Sequence, residues 1–146
     1  MDLILWRHAE AEDGFPDAKR KLTAKGHKQA AKMAAWLDAR LPKHFVLLVS
    51  PAVRTQQTAS ALRSKFVASA EVGLAANPDS LLTAAGWPHA PQTVVVVGHQ
   101  PTLGVSVARL LTGRDAEFSV RRGAIVWIAH KDQRTVLRAV LAPDLV

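Results

Sequence analysis

The sequence predicts a single three-layer α/β domain with a mostly parallel central sheet and helices on both faces. Three observations carry that expectation. First, Asp2-Leu3-Ile4-Leu5-Trp6, Phe45-Val46-Leu47-Leu48-Val49 and Thr93-Val94-Val95-Val96-Val97 are short, unbroken apolar runs, which read as strands buried on both faces of a parallel sheet. Second, segments with helical spacing of apolar residues lie between these runs, the alternation that a parallel sheet with crossover helices requires. Third, 146 residues with 49% hydrophobic content fit one domain, residues 1–146, with a real core.

Taken in order, the first run should be a strand that ends at Arg7-His8. A helix follows over residues 23–40. Thr23 is a plausible N-cap, Ala30, Met33, Ala34, Leu37 and Leu41 share one face, and Pro42 closes the pattern. The second run leads to Ser50-Pro51. A second helix is expected there with Ser50 as N-cap and Pro51 at its first position, passing Ala59 and Leu62 and ending about Lys65. Asn77-Pro78 starts a short third helix that ends near Gly86. After the third run, a fourth helix spans residues 102–111 and stops at Gly113. Residues 124–129 and 135–141 are strand-like and could form a hairpin at a sheet edge. The chain carries no repeat, low-complexity stretch or linker.

Composition removes several function classes. There is no cysteine, so a disulfide scaffold, thiolate zinc and cysteine catalysis are excluded. The apolar residues 3–6 are too few for a secretory core and Arg7 interrupts them. No stretch approaches the ~20 apolar residues of a membrane helix, so a cytoplasmic protein without a membrane partner is expected. Lys and Arg exceed Asp and Glu by 19 to 12, a surplus that suits an acidic or phosphorylated partner as well as a solvated surface. The densest cluster, Lys19-Arg20-Lys21 with Lys25 and Lys28, has no interleaved aromatics, and tyrosine is absent. A nucleic-acid platform is therefore not indicated. No histidine pair has tight ligand spacing, so a metal site is not expected.

Chemistry gathers where the strands end. Ligands of open parallel sheets lie beyond the carboxyl ends of the strands. Arg7 and His8 follow the first run, Arg54 falls in the first turn of the second helix, and His99 follows the third run after Gly98. Two guanidinium groups and two imidazoles suit a phosphoryl group, with bidentate clamps for its oxygens and a nitrogen to attack phosphorus. Each residue alone has a plain alternative: His8 capping a loop carbonyl, Arg54 on the surface, His99 satisfied by the main chain. Gly98 is expected to let the backbone approach a ligand. His27, His44, His89 and His130 read as surface or structural. Arg121-Arg122 reads as a guard on an exposed edge strand, with the crevice rim as the alternative.

Together these segments resemble the histidine phosphatase superfamily, also called phosphoglycerate mutase-like, over nearly the whole length. Arg7-His8-Ala9-Glu10 is similar to its Arg-His signature. Leu22-Thr23 with Gly26 and Gln29-Ala30 is similar to its first-helix pattern. Ser50-Pro51, Arg54 and Thr58 match its second motif, and Val97-Gly98-His99-Gln100-Pro101 its closing motif. The short length and the Arg-His-Ala-Glu-Ala-Glu start look most like SixA-type phosphohistidine phosphatases. The resemblance implies a nucleophilic His8, a phosphate pocket of Arg7, Arg54 and His99, and no metal or cofactor.

One departure stands out. Many members of that superfamily carry an acidic proton donor between the second and third motifs, and Glu71 to Asp79 offers no carboxylate clearly placed for that work. Asp79 is explained by helix capping. Glu10, Glu12 and Asp13 are alternatives that read as surface charge. An alkoxide leaving group needs a proton more than an imidazole does, which favours a phosphohistidine substrate. The expected activity is therefore hydrolysis of phosphohistidine on a protein. The alternatives are a small-molecule phosphomonoesterase with the same histidine chemistry and a non-catalytic, phosphate-dependent binding module; a mutase fits so short a chain less well. The oligomeric state is left open.

Overall fold

The computed structural model describes residues 1–146. Strands β1 (Asp2–Arg7), β2 (Phe45–Val49), β3 (Val67–Ala68), β4 (Thr93–Gly98), β5 (Ile125–Lys131) and β6 (Arg134–Leu141) form one sheet in the order β3-β2-β4-β1-β5-β6. The β3-β2, β2-β4 and β4-β1 pairs are parallel; β1-β5 and β5-β6 are antiparallel. The mostly parallel sheet is thus as expected, with the terminal hairpin added beyond β1 and β6 at the edge.

Alternation along the strands divides the core into two layers. Leu3, Leu5, Val94, Val96, Val126 and Ile128 pack on one face against Leu81 and Ala85 of α3 (Pro78–Ala85) and Leu103 and Val107 of α4 (Thr102–Thr112). Ile4, Trp6, Leu47, Val49, Val95 and Val97 pack on the other against Met33, Ala34 and Leu37 of α1 (Ala24–Asp38) and Ala59 of α2 (Val53–Ser60). Helices therefore cover both faces. Each fully buried Leu or Val contributes roughly 1.5–3 kcal/mol of transfer free energy. None of the helices is long and apolar enough to cross a membrane.

Local signals explain most boundaries. Thr23 caps α1 by accepting from the Gly26 N–H, and Asn77 and Ser80 form a reciprocal capping box at α3. Gly86 and Gly113 end α3 and α4 in the left-handed region. The second helix differs from expectation. Its regular hydrogen bonding starts at Val53, behind Ala52, and the Ser50 hydroxyl meets His99. It also stops at Ser60 rather than near Lys65. The turn through Leu62 and Arg63, both bonded back to the Ala59 carbonyl, delivers Val67–Ala68 to the free side of β2. That two-residue strand is too short to show in sequence periodicity.

Gly26 is required by a close approach. A Cβ there would stand 2.0 Å from the Glu10 carbonyl oxygen, so α1 can press against the segment after His8 only without a side chain. Gly26→Ala is expected to destabilise the protein by about 3 kcal/mol, the upper range for overpacking. Urea unfolding should then show a lower midpoint with an unchanged slope.

Candidate active site

The carboxyl ends of three adjacent parallel strands converge at one point. The β1–β4 register pairs Arg7 with Gly98, and the His8 N–H donates to the Gly98 carbonyl at 3.1 Å. The Ser50 N–H, one residue beyond β2, donates to the Val97 carbonyl at 3.1 Å. His8 and His99 consequently lie side by side with ring centroids 5.4 Å apart. Arg54 enters from the first turn of α2. All four predicted residues line one cleft of about 580 Å³, in which only Ala11 and Leu74 are apolar. His8, Arg54 and His99 are buried, at 6%, 4% and 6% exposure.

Second-layer contacts hold these side chains. Thr58 Oγ1 accepts from the Ala9 N–H at 3.1 Å and donates to the Arg54 carbonyl at 2.8 Å, tying the residue after His8 to α2. Gln29 Oε1 accepts from the Glu10 N–H at 2.9 Å. One Nη of Arg7 donates to the Val120 carbonyl at 2.8 Å. Arg54 donates to the Asp17 carbonyl at 2.8 Å and to its carboxylate at 3.1 Å. Even so, Arg7 Nε, Arg54 Nε and His99 Nδ1 are buried with no hydrogen-bond partner. Three such groups on neighbouring cleft residues break the usual rule of satisfaction.

His8 has a defined tautomer. Its Nδ1 lies 2.8 Å from the Ala9 carbonyl, which only accepts. Nδ1 therefore carries the proton and donates, leaving the lone pair on Nε2. Burial, reinforced by His99, Arg54 and Arg7, pushes the His8 pKa down to about 3. Burial does most of this, and the arginine charges add to it. The same forces take His99 to about 4, so at neutral pH it is an uncharged imidazole and not the imidazolium that would donate most strongly. NMR titration should find both rings uncharged at pH 5; a titration near the ordinary value of about 6.5 would contradict the burial argument. Between about pH 6.5 and the two depressed values the unfolded chain binds more protons. These histidines therefore withdraw stability as pH falls through that window.

Several residues differ from their sequence reading. Ser50 is not a helix cap: its Oγ lies 2.7 Å from His99 Nε2 and accepts from the Ala52 N–H at 3.3 Å. Asp17 escaped notice because nothing local marks it; only the fold brings it to Arg54. The Arg54 and Arg20 guanidinium groups hold its carboxyl below the usual range. Glu10, Glu12 and Asp13 line the cleft wall rather than merely decorating the surface, and Glu10 Oε2 accepts from the Thr23 hydroxyl at 2.8 Å. Arg121 and Arg122 guard no strand edge. They precede β5, which is flanked by β1 and β6, and Arg122 lines the cleft. A Cβ on Gly98 would meet Leu103 and the Val72 carbonyl at an ordinary 3.5 Å. Asp79, in the first turn of α3, pairs with Arg109. His27, His44 and His89 are exposed; His130 and His89 pack near each other, outside the cleft.

Comparison with known proteins agrees with this geometry. Residues 3–74 match the model of the histidine phosphatase superfamily (branch 1). An uncharacterized protein of Picosynechococcus sp. (strain ATCC 27264 / PCC 7002 / PR-6) is 31% identical over 94% of this chain and 94% of its own length. Phosphohistidine phosphatase SixA of Escherichia coli K12 is 29% identical over 77% of this chain and 76% of its own. The fold matches that of SixA complexed with tungstate, with a TM-score of 0.80 at 24% identity, over 99% of this chain and 98% of that one. It also matches a phosphoserine phosphatase mutant of Entamoeba histolytica in complex with phosphoserine, with a TM-score of 0.75 at 17% identity, over 99% and 98% of the two chains. The chain belongs to the histidine phosphatase superfamily and is a phosphatase acting on phosphorylated substrates. Within the superfamily it is of the SixA type.

Proposed function

We propose that this phosphatase hydrolyses phosphohistidine on a protein, through a covalent phosphohistidine formed on His8. The observation that carries the reading is the trio of unpartnered buried atoms, Arg7 Nε, Arg54 Nε and His99 Nδ1, around an uncharged His8. A phosphoryl group accepts three or more hydrogen bonds and two positive charges, and so completes all three. Ser50 Oγ, already accepting from the Ala52 N–H, donates its O–H in a hydrogen bond to His99 Nε2 and leaves the His99 N–H on Nδ1 as the donor.

In the first step the His8 Nε2 lone pair attacks phosphorus. The phosphorus–nitrogen bond of the substrate breaks, and its electron pair stays on the departing imidazole. That ring leaves neutral when its other nitrogen is already protonated. In the second step water attacks phosphorus, the bond to Nε2 breaks, and phosphate departs. Arg7 and Arg54 hold the equatorial oxygens throughout, and His99 donates to one of them as charge shifts. No metal or cofactor takes part.

Two of the four carboxylates of the cleft are committed to other partners, which supports this substrate over an ester. Asp17 is held ionised by Arg54 and Arg20, and Glu10 accepts from Thr23. Neither is arranged to hand a proton to an alkoxide, which an imidazole leaving group does not need. The reading carries with it the cytoplasmic location expected from the sequence. The test is phosphate release from a phosphohistidine-bearing protein beside a panel of phosphomonoesters. Faster turnover of phosphohistidine is expected. Fast ester turnover with slow phosphohistidine turnover moves the substrate to small molecules, and stable binding without turnover of either revives the binding-module alternative.

A further inference from the structure

A second cleft of about 340 Å³ adjoins the first and shares Arg7, Glu10 and Arg122 with it. Its own wall brings Lys25, Gln29, Arg121 and Asp144 together from α1, the segment before β5 and the last turn of the chain. The two clefts differ in charge. Four arginines face four carboxylates in the first, whereas four cations face only Glu10 and Asp144 in the second.

Three of these four cations, Lys25, Arg121 and Arg122, make no side-chain hydrogen bond. Arg121 stands 3.7 Å from Asp144 and Arg122 stands 3.8 Å from Glu10, both beyond hydrogen-bond length. Lys25 makes no ion pair. It also sits in the first turn of α1, where a cation opposes the helix dipole. Gln29 spends its oxygen on the Glu10 N–H, which leaves its amide NH₂ to donate. An anion in this cleft would answer all of these groups at once.

The geometry points to a second anion subsite that takes a carboxylate side chain of the substrate protein lying next to its phosphohistidine. This inference rests on the protein-phosphohistidine reading above. Glu12 and Asp13 line the first cleft and not the second, and they repel an acidic neighbour. The substrate chain is thereby oriented, with its acidic residue on the Lys25 and Arg121 side.

The test uses the double variant Lys25→Glu with Arg121→Glu, and the milder Lys25→Gln with Arg121→Gln. Two probes are compared: a phosphohistidine-bearing protein with an acidic residue beside the modified histidine, and phosphoramidate, which has the same phosphorus–nitrogen bond and no second anion. On the protein, KM should rise about tenfold in the reversal variant with kcat unchanged, the size expected for exposed charge pairs. Turnover of phosphoramidate should not change, since neither residue lines the phosphoryl cleft, and that result also reports a folded enzyme. Neutralising the acidic residue of the substrate should give the smaller KM rise of the Lys25→Gln with Arg121→Gln variant, with no further loss in that variant, and should relieve part of the rise in the reversal variant. An unchanged KM on the protein overturns the subsite, and so does an equal loss on both probes. If wild type turns over phosphoramidate or esters but no phosphohistidine protein, the substrate reading itself falls and takes the subsite with it.

Discussion

His8→Ala is expected to lower phosphate release by about four orders of magnitude or more, the scale seen when a catalytic nucleophile is removed. The residue supplies something no neighbour can. The Ala9 carbonyl fixes its proton on Nδ1, burial keeps the ring uncharged down to about pH 3, and the Nε2 lone pair remains for attack. His99 is near, at 5.4 Å between ring centroids, but its Nε2 is engaged with Ser50. Rapid quenching of wild type with a radiolabelled phosphohistidine protein should trap label on His8 in an acid-labile, base-stable form. Label that persists in His8→Ala, or that maps to another residue, would defeat the covalent assignment. Full activity in the variant would defeat the whole mechanism.

Arg54→Ala should cost about a thousandfold in kcat/KM, the upper range for losing one preorganised donor set at a reacting centre. The guanidinium is 4% exposed and carries five N–H donors, of which two are bound to Asp17. Its loss removes charge from the phosphoryl group and also leaves the Asp17 carboxylate with Arg20 alone to balance it. Adding Asp17→Asn to Arg54→Ala should therefore recover part of the loss, a non-additivity that steady-state kinetics on the double variant reads directly. Arg54→Lys should fall in between, because an ammonium restores charge but not the planar fork. Equal rates for Arg54→Ala and wild type would remove the residue from the site.

Much of this was legible in the chain. Apolar runs and caps foretold β1, β2, β4, α1, α3, α4 and the terminal hairpin, because in each the signal is local: a run of Val or Leu, Thr23, Asn77-Pro78, Gly113. Arg7, His8, Arg54 and His99 could be grouped because strand ends in a parallel sheet share one edge. What stayed hidden depends on long-range placement. Asp17 meets Arg54 across 37 positions, and Ser50 meets His99 across 49. Val67–Ala68 exists as a strand only because β2 offers an open side. Arg122 was misread because the edge strand of the hairpin is β6, whereas the arginines precede β5, which lies inside the sheet next to β1.

The β1–β4 pairing has a further consequence. Arg7 opposite Gly98 and Trp6 opposite Val97 belong to the same ladder that alternates side chains between the two core layers. A slip of one residue would turn Trp6 and Ile4 toward α3 and α4, and Leu3 and Leu5 toward α1 and α2. Both interiors would then be filled with the wrong shapes. The greasy middle of the molecule thus proofreads its reactive edge: a chain that mispairs the two histidines cannot also close its core. Errors in the site are rejected during folding rather than discovered during turnover.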